Sequence, residues 1–99
     1  MAYQIIVTEA FEDSVTKTSE WLTHKWSIRS ALKFEKKLRS AIQQIIINPK
    51  IGRVSARQKD IQSILITGHN RLYYQVYDKS LALLELVETK QNPKRNKFE

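Results

Sequence analysis

Residues 61–87 read IQSILITGHNRLYYQVYDKSLALLELV, and the fold is decided in this stretch. Three apolar runs, Ile61 to Ile66, Leu72 to Tyr77 and Leu81 to Val87, are divided by the polar segments Thr67-Gly68-His69-Asn70 and Asp78-Lys79-Ser80. Short runs rich in β-branched and aromatic residues, separated by turn formers, predict strands joined as hairpins, here a three-stranded antiparallel meander. In the middle run Leu72, Tyr74 and Val76 alternate with Tyr73, Gln75 and Tyr77. Successive side chains of a strand point to opposite faces, so one face is aliphatic enough for a core and the other is aromatic and polar. Tyr74, in phase with Leu72 and Val76, is the expected core tyrosine, which leaves Tyr73 as the one that can join a site.

Upstream the apolar spacing changes to three and four. Ile28, Ala31, Leu32, Leu38, Ala41, Ile42, Ile45 and Ile46 mark a long helix that Ser27 can cap. It must stop at Asn48-Pro49, because proline disfavours helical geometry in the residue before it, and Gly52 adds a second breaker. A first helix begins after Thr8, a good cap followed by Glu9, Glu12 and Asp13, acids that suit the positive helix end. Phe11, Val15, Trp21 or Leu22, and His24 or Lys25 give it one modest apolar face, and it is expected to end near Trp26. Helices joined by so short a link lie as an antiparallel hairpin. Trp21 and Trp26 are read as packing between the helices and are assigned no site. Tyr3 to Val7, a short run before Thr8, is a strand free to join the sheet edge. The expected fold is α+β, in the order β-α-α-β-β-β, an antiparallel helix hairpin packed on a small, mainly antiparallel twisted sheet.

A chain of 99 residues is the size of one domain, and 41% apolar with 27% charged residues is globular composition. Residues 91–99 alone look unpacked, a flexible or partner-contacting tail. Lys and Arg number 17 against 10 Asp and Glu, a net charge of +7, so a polyanion or an acidic protein is the first partner to consider. With no cysteine, disulfides and thiolate metal sites are excluded, and neither a metal nor another cofactor is expected. The first eight residues lack a basic flank before an apolar core, and no run approaches the roughly 20 apolar residues of a membrane span, so a cytoplasmic protein without a membrane partner is expected.

Several segments in order resemble the RelE/ParE superfamily of bacterial type II toxins. They are Val7-Thr8-Glu9-Ala10-Phe11-Glu12-Asp13, Trp26-Ser27, Asn48-Pro49-Lys50-Ile51-Gly52-Arg53, Ile64-Leu65-Ile66, His69-Asn70-Arg71-Leu72-Tyr73-Tyr74 with Asp78, and Glu88-Thr89-Lys90-Gln91-Asn92-Pro93-Lys94. Each is weak alone; their order and spacing, from Tyr3 to Lys94, are specific. The resemblance implies a growth-inhibiting toxin neutralised by a cognate antitoxin, whose complex typically represses the shared operon, so that operator DNA is reached only through that complex. It also implies one of two targets, DNA gyrase or the ribosome with its messenger RNA.

Metal-free RNA cleavage needs a base for the 2′-hydroxyl proton, an acid for the leaving oxygen, and cations for the phosphate. The resemblance nominates Arg71, at the start of its strand, as the first catalytic residue, with Lys59, His69 or Lys90 in support. Arg53 and Arg57, like Arg71, Lys90 and Lys94, are candidates for touching the target or the antitoxin. RNA-cleaving relatives commonly finish the last strand with His-Tyr or a similar acid pair, whereas Glu88-Thr89-Lys90 stands here. Lysine near its ordinary pKa is a poor proton donor or acceptor at neutral pH. The ending Lys90-Gln91-Asn92-Pro93 resembles ParE-type members and tilts the reading towards gyrase inhibition, which needs no catalytic residue.

Overall fold

The computed structural model describes residues 3–90 and 96–99. Strand β1 (Gln4–Val7) is followed by helices α1 (Glu9–Lys25) and α2 (Ile28–Ile47), then a single 3-10 turn at Pro49–Ile51. Four strands complete the order: β2 (Arg53–Val54), β3 (Ile61–Thr67), β4 (Asn70–Val76) and β5 (Ser80–Glu88). One five-stranded sheet has the order β1-β5-β4-β3-β2. β1 lies parallel to β5, and every other pairing is antiparallel. The expected α+β architecture is therefore present, with the two-residue β2 added at one edge and β1 at the other.

Both helix caps form as the sequence predicts. The Phe11 N–H donates to Thr8 Oγ1 at 3.1 Å and the Ser30 N–H to Ser27 Oγ at 3.1 Å. Thr8 does more than cap, since its hydroxyl also donates to the Leu83 carbonyl at 2.7 Å and so ties the helix start to β5. Ser14 adds a second tie one turn later, accepting the Leu86 N–H at 3.0 Å.

The main core lies between the helix pair and one sheet face. Phe11 of α1 and Phe34, Leu38, Ala41 and Ile45 of α2 meet Leu72, Tyr74, Leu81, Leu83 and Leu86. A bulge sets that face on β5: Tyr73 pairs with Glu85 while Tyr74 pairs with Leu83, leaving Leu84 as the extra residue. Strict alternation would send Leu86 away from a face shared by Leu81 and Leu83; one extra residue restores the phase. The helices are amphipathic over only part of the predicted stripe. Ile28 and Leu32 are exposed, and so are Trp21 (51%) and Trp26 (70%), which do not pack between the helices as the sequence reading expects. Leu22 takes the inward place beside the core, and Trp21, one residue earlier, is turned outward by the 100° step of the helix.

The stop after α2 is locked to the sheet. The Tyr74 hydroxyl donates to the Pro49 carbonyl at 2.7 Å, and the Gln62 amide, in the orientation that satisfies both its oxygen and its nitrogen, donates to the same carbonyl at 2.7 Å. Gly52 passes directly over this tyrosine, so close that a β-carbon there would stand 2.2 Å from the hydroxyl oxygen.

The opposite sheet face carries a smaller core in which Ile61, Tyr73 and Val87 pack with Phe98. The expectation of an unpacked segment after residue 90 is thus corrected for Asn96–Glu99. Phe98 is buried, its ring stacked on Tyr73 with centroids 4.6 Å apart and planes at 19°. Lys94, with Gln91, Asn92 and Pro93, lies outside the described residues.

Candidate functional site

Two clefts flank the β3–β4 turn, one on each side of the sheet. Gly68 and His69 make that turn, and β5 holds it: the Thr89 N–H donates to the His69 carbonyl at 3.0 Å, and the Thr89 hydroxyl to the Gly68 carbonyl at 2.9 Å. Within it Thr67 Oγ1 donates to Asn70 Oδ1 at 3.0 Å and accepts the His69 N–H at 3.1 Å. These bonds fix the backbone of His69 while its side chain stays exposed.

On the helix side is an apolar groove of about 610 Å³, floored by Leu22 and Phe34, walled by Trp21, and ringed by Lys17, Lys37, His69 and Lys90. On the other side is a cleft of about 620 Å³ that gathers Arg53, Arg71, Tyr73, Glu88, Asn96 and Glu99. Alternation along β4 places Arg71 and Tyr73 on this second face, opposite Leu72 and Tyr74. Arg71 donates to Ser63 Oγ at 3.0 Å across the β3–β4 pair, and Ser63 is itself buried. Among the described residues no carboxylate forms an ion pair with Arg71, so its charge faces the cleft.

Arg53 and Arg57 are engaged by the chain itself. Arg53 pairs with the Glu99 carboxylate, and Arg57 Nε donates to the Glu99 main-chain oxygen at 2.7 Å. The Tyr73 hydroxyl donates to the same carboxylate at 2.9 Å, and the Ser55 hydroxyl to the Phe98 carbonyl. Burial works to raise the Glu99 carboxyl, but the hydrogen bonds from Tyr73 and Arg53 outweigh it and hold the group below the usual glutamate range. Burial raises the Tyr73 hydroxyl above its ordinary 10.0 against the lowering bond from Asn96, and Glu99 adds to the rise. Tyr73 is therefore a neutral donor at pH 7 and no general base.

The nominated residues are not brought together. Arg71 lies in the sheet-face cleft, His69 and Lys90 line the helix-side groove, and Lys59 stands exposed between β2 and β3, lining neither. Arg71 and His69 part company because Arg71 lies on β4 and faces the sheet-face cleft, whereas His69 belongs to the turn before the strand, outside its alternation, and lines the helix-side groove. The sequence reading missed Ser63, Phe98 and Glu99. The one aromatic in an otherwise polar ending, Phe98, was the available signal. Among the described residues no cluster of His, Asp and Glu can hold a metal ion, and no helix is long and apolar enough to cross a membrane.

Residues 5–93 match the family model described as the ParE toxin of the type II toxin–antitoxin system parDE. The chain belongs to the ParE toxin family. It is accordingly a toxin component of a type II toxin–antitoxin system, and its sequence resemblance to the RelE/ParE superfamily is borne out. No curated protein matches the toxin by sequence. Among solved structures it is similar to the chromosomal ParDE system of P. aeruginosa, with TM-score 0.73 at 10% identity over 88% of this chain and 96% of that one. The E. coli DinJ-YafQ toxin–antitoxin complex gives TM-score 0.65 at 15% identity, covering 89% and 93%. The YoeB dimer of Staphylococcus aureus gives 0.58 at 14%, covering 86% and 94%. At such identities these likenesses establish the fold.

Proposed function

We propose that this toxin arrests growth by binding DNA gyrase rather than by cutting RNA, in the cytoplasm, and that a cognate acidic antitoxin neutralises it. The observation that carries the proposal is the dispersal of Arg71, His69, Lys90 and Lys59 over two sides of the sheet and an outer loop. General acid–base catalysis requires donor and acceptor within hydrogen-bond reach of one substrate. A protein that works by binding alone has no such requirement. The family match to ParE points the same way. The helix-side groove, apolar within and basic at its rim, suits an amphipathic segment with acidic flanks, the kind of partner that folds on binding. Operator DNA is then reached through the toxin–antitoxin complex.

One observation favours a second reading, ribosome-dependent RNA cleavage: Arg71, which no carboxylate pairs among the described residues, turns its charge into the sheet-face cleft, where it can meet a scissile phosphate. Inducible expression in a bacterial host separates the two. Altered supercoiling of a reporter plasmid with intact messenger RNA is expected, relieved by the antitoxin gene. Rapid loss of messenger RNA with unchanged supercoiling, abolished by Arg71→Ala in a folded variant, establishes the enzyme instead.

A further inference from the structure

The contacts made by Phe98 and Glu99 are those of a bound dipeptide. The Phe98 ring lies on Tyr73, the Glu99 carboxylate meets Arg53 and the Tyr73 hydroxyl, and two main-chain oxygens are taken by the Ser55 hydroxyl and Arg57 Nε. The donors come from β2, β4 and the Ser55–Arg57 loop, which the Ser55 N–H anchors to the Ile61 carbonyl at 2.8 Å. Ser55 Oγ also accepts the Arg57 N–H at 3.1 Å, so the hydroxyl and the guanidinium are set by one local turn. We infer that this cleft is a recognition site for an aromatic–acidic peptide step, closed in the resting toxin by its own Phe98–Glu99 and opened when a partner segment of the same chemistry displaces them.

A nucleotide could stack on Tyr73 and place a phosphate on Arg53, but it has no equivalent for a peptide carbonyl in line with a second main-chain oxygen. Ser55 and Arg57 each donate to one of those, which is why the site fits a peptide better. The closing segment is held on its outer side by exposed contacts, the Lys97–Glu85 pair at 3.1 Å and the Lys97 ammonium 5.3 Å from the Phe98 ring centre. Exposed ion pairs of this kind add little to stability, so these outer contacts leave the closure displaceable and its hold rests on the Phe98 ring and the arginines. A partner must overcome that closed state, and its apparent affinity falls by the fraction of molecules that are open. The inference concerns a protein partner and does not depend on whether gyrase or RNA is the target.

The test is fluorescence anisotropy with a labelled short acidic peptide carrying one Phe-Glu step, against the full chain, Glu99→Ala, and Phe98→Ala/Glu99→Ala. Glu99→Ala leaves the stacked ring in place and guards against loss of folding in the double variant. The double variant is expected to bind the peptide on the order of tenfold more tightly than the unaltered chain, and Glu99→Ala, with Phe98 still on Tyr73, by a smaller factor. Adding Arg53→Ala and Arg57→Ala should abolish the gain, and replacing the peptide's Phe by Ala should weaken binding in every case. Equal affinity in the closed and opened chains overturns the inference. So does tighter binding of a single-stranded RNA of matching length than of the peptide, which would make the cleft a nucleic-acid site.

Discussion

Gly52 sits where there is no room for any side chain. A methyl group would meet the Tyr74 hydroxyl oxygen at 2.2 Å and the Ser63 carbonyl at 3.0 Å, and that hydroxyl is already bonded to Pro49. Gly52→Ala is therefore expected to destabilise the toxin by about 1–3 kcal/mol, seen as a lowered denaturant midpoint with an unchanged slope. Tyr74→Phe removes the buried donor and leaves the Pro49 carbonyl to Gln62 alone; a smaller loss of about 1 kcal/mol is expected by the same measurement. The pH dependence has two arms. Glu99 has a lowered folded pKa, so its bonds contribute at pH above the ordinary glutamate value of about 4.3 and are lost as pH falls through the lowered one. Tyr73 and Tyr74 are raised by burial, so their contribution is complete below 10.0 and is lost as pH rises through the raised values. Unfolding monitored across pH should show both losses, and Glu99→Gln should remove the acid one while shrinking the alkaline one without abolishing it, since Glu99 supplies part of the Tyr73 rise and none of that of Tyr74.

The elements differ in how they are tied down. Thr8 and Ser27 cap successive helices with bonds of the same length, but only Thr8 also reaches β5, through Leu83. Thr8→Ala is expected to cost about 1–2 kcal/mol and Ser27→Ala about 0.5–1 kcal/mol, with thermal unfolding as the check. Equal losses would mean that the Leu83 bond adds nothing. These caps were legible because each needs only local residue types. The β5 bulge was not: Leu81 to Val87, LALLELV in one-letter form, reads as a run apolar on nearly every side, and the extra residue appears only when Tyr73 and Tyr74 pair with Glu85 and Leu83. For the same reason the strand reading started β4 at Leu72 and left Asn70 and Arg71 at its margin, although both pair with β5 at Glu88 and Val87.

For the molecule as a whole, the +7 charge is concentrated at the apolar groove rather than the Tyr73 cleft: Lys17, Lys33, Lys37 and Lys90 ring the groove against Glu88, whereas Arg53 and Arg71 in the cleft are matched by Glu88 and Glu99. An acidic antitoxin should bind faster at low salt, with an association rate that falls as ionic strength rises while dissociation changes little. Stopped-flow mixing in a salt series measures this; a flat association rate would mean that the basic rims do not steer the partner. The exposed Trp21 offers a direct readout, since burial beneath a segment in the helix-side groove changes its fluorescence, whereas filling the Tyr73 cleft on the opposite face leaves it unchanged.

The sequence by itself determined the order of elements apart from the two-residue β2, both caps, the stop at Asn48-Pro49, the placing of Tyr74 in the core and the family, because each rests on local chemistry or on motifs in order along the chain. Only the tertiary structure decided the rest. It turned Trp21 and Trp26 outward, set Arg71 and His69 on different sides of the sheet, and buried Tyr73 beneath Phe98, so that both tyrosines of the middle strand are covered. The physical reason is that a side chain's surroundings depend on what packs over its face. For Tyr73 that cover comes from Phe98, beyond the last strand, whose arrival no periodicity within β4 records.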